Sequence, residues 1–219
     1  MAKTAPTPFG RLVLVTPPRA DLDAFLPALD AALGAGDVAS LIVAPDLAAP
    51  ADLQAAAARI VPIAQRHGAA VILPDDTRLV GRTGADGVQI GSGLADLKLA
   101  IESLRPERIV GAAGITTRHQ AMEIGEADPD YLFFGRLDGD TGPAIHPKSF
   151  DLAAWWSALF EIPAIVMGGA TIGSVAEAVE ARIEFVALRR AVWEHAEGPA
   201  AAVAEAIRTI AAHQPETAG

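Results

Sequence analysis

Along this chain, short runs of β-branched and other apolar residues alternate with longer Ala- and Leu-rich stretches. The short runs are RLVLVT, ASLIVA, AAVIL, DGVQI, RIVGA, DYLFFG, PAIVMGG and IEFVAL. Between them lie segments of helical character, among them DLDAFLPALDAALGAG, PADLQAAAARIVPIAQRHG, RHQAMEIGEAD and TIGSVAEAVEA. Strands that alternate with helices predict βαβ units and parallel pairing. The runs are apolar nearly throughout, as expected of strands covered on both faces.

Eight runs recur at a spacing of roughly 25 residues, which suits an eight-fold β/α barrel. The rival is an open doubly wound sheet, which would carry a Gly-rich turn after its first strand. Here LVLVTPPRADL offers Pro at that place. The pattern therefore predicts an α/β chain whose residues 1–219 form a single (β/α)8 TIM-barrel domain, with a frayed tail from about residue 212.

Composition changes this picture little. Hydrophobic residues make up 51% of 219 and charged residues 20%, enough for a sizeable core. No apolar run approaches the roughly 20 residues that cross a bilayer. The opening MAKTAPTPFG has no apolar core of a secretory signal, and the chain has no Cys. The expectation is a cytoplasmic protein with no membrane partner. The net charge of -10 argues against nucleic acid, whose phosphates demand clustered Lys and Arg. A small phosphorylated ligand remains compatible, because a few amides and one Arg suffice to hold it. Homo-oligomerisation stays open.

In a barrel, chemistry gathers just after the strands. IVMGGAT places Gly168 and Gly169 after the seventh run, and FVALRRAV places Leu188, Arg189 and Arg190 after the eighth. Bare glycines let a phosphate reach backbone amides, and a guanidinium can add a bidentate contact. Gly168, Gly169, Leu188 and Arg189 are thus the candidate phosphate-binding residues. The other reading of the glycines is a tight turn. Asp75 and Asp76 follow the third run, where one of them can cap a short helix. The long segment GRLDGDTGPAIHPKSF follows the sixth run. Its Asp138, Asp140, His146 and Lys148 form either a lid over the mouth or a solvated loop.

ADGVQIGS, DYLFFG and IVMGGAT, in this order and spacing, resemble the thiamine-phosphate synthases and their sister aminothiazole tautomerases. The resemblance runs from LVLVT to about Val192. It implies a barrel that joins a pyrimidine pyrophosphate to a thiazole phosphate, with magnesium stabilising the departing pyrophosphate. It also implies a metal role for Asp75, which matches the family's first magnesium Asp.

The departures from the family pattern are specific. The Arg and Lys that end the family's second strand are Val43 and Pro45 here. The Asn before the first magnesium Asp is Pro74, and Leu94 replaces the second Asp, with Asp96 two residues on. The fourth-strand His is Gln89, and the fifth-strand Ser is Ala113. The tautomerase His is Ile115, with His119 a turn further, and Lys148 does not align with the family Lys. The expectation is a divergent member, with thiamine biosynthesis as its setting and the standard transferase activity in question. The alternative is a non-catalytic barrel that binds a phosphorylated ligand for regulation or sequestration.

Overall fold

The computed structural model describes residues 9–214. Eight strands close into one parallel barrel in chain order. They are β1 (Arg11–Val15), β2 (Val38–Ile42), β3 (Ala70–Pro74), β4 (Gly87–Ile90), β5 (Ile109–Ile115), β6 (Tyr131–Phe134), β7 (Ala164–Met167) and β8 (Phe185–Leu188). Closure is made by β1 beside β8, with Leu12 opposite Val186 and Leu14 opposite Leu188. Each of the eight apolar runs holds one strand, so the (β/α)8 barrel stands and the open sheet does not.

The helices follow the strands. They are α1 (Leu22–Leu33), α2 (Leu53–Arg66), α3 (Thr77–Thr83), α4 (Leu94–Leu104), α5 (Arg118–Gly125), α6 (Pro147–Leu159), α7 (Ser174–Glu180), the short α8 (Arg190–Trp193) and α9 (Pro199–His213). Several begin on a side chain that accepts an orphan amide: Asp21 from Asp23, and Thr117 from Gln120. Pro27 and Pro62 lie inside α1 and α2. Of the tail expected from about residue 212, Ala212 and His213 belong to α9, and Gln214 exchanges hydrogen bonds with the backbone of Phe9. The remainder lies outside the described residues.

Two buried layers explain the unbroken apolar runs. Val13, Val15, Ile42, Ile72, Phe133 and Ile165 belong to the layer that fills the barrel. Leu12, Leu14, Leu41, Val71, Leu132 and Val166 belong to the layer shared with the helices. Neighbours along a strand point to opposite faces, and both faces are dry. Gly111 makes room in the interior, since a Cβ there would lie 2.0 Å from the Tyr131 ring. No described helix is long and apolar enough to cross a membrane.

Candidate functional site at the barrel mouth

The C-terminal ends of the strands open onto a cavity of about 410 Å³. Its charged lining is two guanidiniums, Arg136 and Arg189, and three carboxylates, Asp46, Asp75 and Asp138. The set is one negative charge in excess.

Both guanidiniums are already engaged. Arg189 follows β8 directly and is 3% exposed. Its Nε donates to the Thr16 carbonyl at 2.9 Å, and its Nη2 to Asp46 Oδ1 at 2.5 Å. Its Nη1 reaches the Leu137 carbonyl at 3.4 Å. Arg136 makes a two-pronged contact with Asp138, 2.8 Å on each prong. That pairing holds the Asp138 carboxyl below its ordinary value. Arg190 turns outward and pairs with Glu194 one helical turn on, at 2.9 Å.

Asp75 and Asp76 divide their tasks. Asp76 caps α3, its carboxylate accepting from the Arg78 amide at 2.9 Å. Asp75 sits in the left-handed region at φ 48, and its Oδ1 accepts from the Gly91 amide at 2.7 Å. Asp96, in the first turn of α4, shares a separate surface hollow with Asp75. Among the described residues no group of three or more His, Asp or Glu could hold a metal ion. Of the Asp75 carboxylate oxygens, only Oδ1 is engaged among the described residues, which leaves one, so a magnesium ion here would take most of its ligands from bound phosphates and water.

At the floor of the mouth, Tyr131 donates to Gln89 Oε1 at 3.0 Å. Tyr131 and Gln89 are 6% and 5% exposed. Burial pushes the phenol well above its usual range, so it stays a neutral donor.

The candidate phosphate residues occupy adjoining loops. A Cβ on Gly168 would lie 2.7 Å from Leu188 Cδ2, so these two residues touch. Arg189 instead points over the end of β1 toward Asp46. The amide of Gly168 donates to the Ala187 carbonyl at 2.8 Å, and that of Gly169 to Ser174 Oγ at 3.0 Å. Gly169 lies hard against the segment after β6, because a Cβ there would meet the Pro143 carbonyl at 2.2 Å.

That segment is anchored at two buried residues, while Thr141, Pro143 and Ala144 between them are exposed. Asp140 is 2% exposed and Ile145 is 3% exposed. Asp140 Oδ2 accepts from the Arg190 amide at 2.7 Å. Burial raises its carboxyl above the usual range, against the pull of Arg189 and Arg190. His146 immediately precedes α6, and Lys148 lies in its first turn. Both line a side cavity of about 220 Å³ floored by Ile115 and Met167. The four residues marked in the sequence thus have three different surroundings. His119 is on the outer surface, 3.6 Å from Glu123.

Asp46 and Arg136 are the mouth residues that motif reading missed. The available signal was their place in the loops directly after strands, where a carboxylate or guanidinium faces the opening.

The model of the thiamine monophosphate synthase family matches residues 12–192. The chain belongs to this family. A thiamine-phosphate synthase of Hyphomonas neptunium is 37% identical over 210 residues, covering 93% of this chain and 95% of the relative. A thiamine-phosphate synthase of Rhodospirillum centenum is also 37% identical, covering 91% and 97%. The solved structure of a thiamine phosphate pyrophosphorylase from Pyrococcus furiosus superposes with a TM-score of 0.75 at 18% identity. That alignment covers 94% of this chain and 97% of the other, and it shows a shared barrel fold.

Proposed function

We propose that this synthase-family barrel binds a phosphorylated small molecule at its C-terminal mouth and carries out the standard condensation only slowly. In that reaction a pyrimidine pyrophosphate loses pyrophosphate as it joins a thiazole phosphate. The leaving group needs positive charge that grows in value as the bond breaks. The observation that carries the reading is the pairing of both mouth guanidiniums with carboxylates, Arg189 with Asp46 and Arg136 with Asp138. Val43 and Pro45 add no cation, and Leu94 adds no second metal carboxylate. Each lost charged contact is worth about 1.5–3 kcal/mol. Losing several slows a reaction by orders of magnitude.

The ligand's phosphate is placed at the loops of Gly168, Gly169 and Leu188, with Arg189 at their edge. The bare Cα of Gly169, at present against the Pro143 carbonyl, would let a phosphate come close once that carbonyl moves, and the nearby Ala170 and Arg190 amides would supply donors. Asp75 together with the ligand's phosphates would hold a magnesium ion, which would supply positive charge to the leaving group. A non-catalytic role in regulation or sequestration needs only this binding. Full synthase activity is the second reading, favoured by relatives named thiamine-phosphate synthase that match over nine-tenths of the chain.

The test is turnover with both substrates and magnesium, run beside thermal shift with thiazole phosphate alone. The expected result is stabilisation by thiazole phosphate and turnover far below about 1 per second. Turnover at or above that rate would establish the second reading.

A further inference from the structure

Three acceptors on one four-residue stretch meet three donors on two loops. Asp140 Oδ2 takes the Arg190 amide at 2.7 Å. The Gly142 carbonyl takes the Ala170 amide at 2.7 Å. The Pro143 carbonyl takes the Thr171 hydroxyl at 2.9 Å. The donors belong to the segments that follow β7 and β8, and the acceptors to the segment that follows β6. We propose that residues 140–143 act as a built-in substitute for a phosphate group, so that a phosphate monoester binds by displacing this strap. The proposal rests on the placement of the ligand's phosphate at the loops after β7 and β8.

Number and charge support it. A monoester presents three terminal oxygens, and the strap presents three acceptor oxygens, one of them anionic. The strap fits closely enough to exclude a ligand, since the Pro143 carbonyl would lie 2.2 Å from a Cβ on Gly169. A dianion and the Asp140 carboxylate cannot share the Arg190 amide, because like charges at contact repel strongly in a dry site. Binding is therefore a competition, and the measured affinity is reduced by the fraction of time the strap is closed.

The strap is also built to leave without unfolding the barrel. Ile145 is buried and secures the end nearest α6. Gly135, at φ 114, marks the other end, and a Cβ on Gly142 would meet nothing. The moving part is the short stretch between them. Beyond the three named bonds it has the Gly139 amide on the Arg136 carbonyl, the local Arg136–Asp138 pair, the Leu137 carbonyl on Arg189 and the Leu137 side chain on the barrel core, while Thr141, Pro143 and Ala144 are exposed.

The experiment combines calorimetry with a fluorescent label on Thr141→Cys, an exposed position in a chain that has no other cysteine, on the full chain with inorganic phosphate as the probe. Saturating phosphate should lower the label's anisotropy as the strap comes free. Asp140→Ala should bind phosphate about 10-fold more tightly, because it removes the internal competitor. Gly169→Ala should lower the label's anisotropy without ligand, and it does not depend on Asp140→Ala folding. Phosphate that binds with no change in the label's anisotropy overturns the proposal and leaves the phosphate site intact. Equal or weaker binding by Asp140→Ala, or unchanged anisotropy in Gly169→Ala, also overturns it. Absence of binding in both parent and Asp140→Ala removes the phosphate site itself, and the strap's role with it.

Discussion

Arg189 Nη2 lies 2.5 Å from Asp46 Oδ1, so the end of β8 is bridged to the segment after β2 over the top of β1. The intervening Thr16 carbonyl accepts from the same guanidinium. The pair is asymmetric: the Arg189 side chain is 3% exposed and that of Asp46 is 47% exposed. The cation needs its partner, whereas the carboxylate can fall back on water.

Truncating either partner should therefore have different consequences. Arg189→Ala removes three hydrogen bonds but leaves a carboxylate that water can solvate. A loss of about 2–3 kcal/mol in urea unfolding is expected, below the range for fully buried pairs. Asp46→Ala leaves the guanidinium facing the cavity without its counter-charge. That variant should bind inorganic pyrophosphate about 10-fold more tightly than the parent by calorimetry, a gain of about 1.4 kcal/mol. An unchanged affinity would mean that Arg189 is held in place by the Thr16 and Leu137 carbonyls and does not turn to ligands.

The second guanidinium predicts a contrasting result. Arg136 and Asp138 side chains are 80% and 55% exposed, despite good two-pronged geometry. Exposed ion pairs contribute about 0–1 kcal/mol. Asp138→Asn should shift the unfolding free energy by less than about 1 kcal/mol. A loss as large as that of Arg189→Ala would show that this pair is a structural fastening of the segment after β6.

The barrel was legible because its signal is redundant. Eight apolar runs at even spacing each became a strand, and the alternation of Val13 and Val15 with Leu12 and Leu14 serves two dry layers. Position after an apolar run marked Gly168 and Gly169, the family match marked Asp75, and all three directly follow the ends of β7 and β3. What could not be read was the pairing of side chains across loops distant in sequence. Arg189 and Asp46 are 143 residues apart, and Arg190 and Asp140 are 50 apart. No local pattern encodes such contacts. The stretch around Asp140 also looks solvated by composition, since Asp, Gly and Pro dominate it. It is fastened down, with Asp140 buried, only because the Arg190 and Ala170 amides and the Thr171 hydroxyl are there to meet it.

The floor of the mouth gives a prediction about buried polar groups. Tyr131→Phe removes the donor to Gln89 Oε1 and keeps the ring that packs on Gly111. A buried acceptor left without a partner costs about 1–3 kcal/mol. Replacing both members, as in Tyr131→Phe with Gln89→Leu, should recover part of that loss. A double-mutant cycle by chemical denaturation measures the coupling. Strictly additive losses would mean that the 3.0 Å contact contributes nothing to stability.

Asp140 makes the pH dependence of stability informative. Its carboxyl is raised above the usual range by burial, with Arg189 and Arg190 the charged groups that oppose the shift. A folded-state pKa above the unfolded one means that the native chain takes up this proton first as pH falls. Its ionisation therefore disfavours the fold at neutral pH, and the penalty fades as pH drops through the raised value. Below about pH 3.9, the ordinary Asp value, both states are protonated and the penalty is gone. Asp140→Asn keeps a side-chain oxygen for the Arg190 amide and removes the buried charge. The variant should melt at or above the parent's temperature at pH 7. The gap should narrow as pH is lowered toward about 4, a comparison that cancels the titration of all other groups. Melting curves of both proteins from pH 7 to pH 4 provide the check. A variant less stable than the parent at pH 7 would show that attraction to Arg189, Arg190 and the Arg190 amide outweighs the cost of burying the carboxylate.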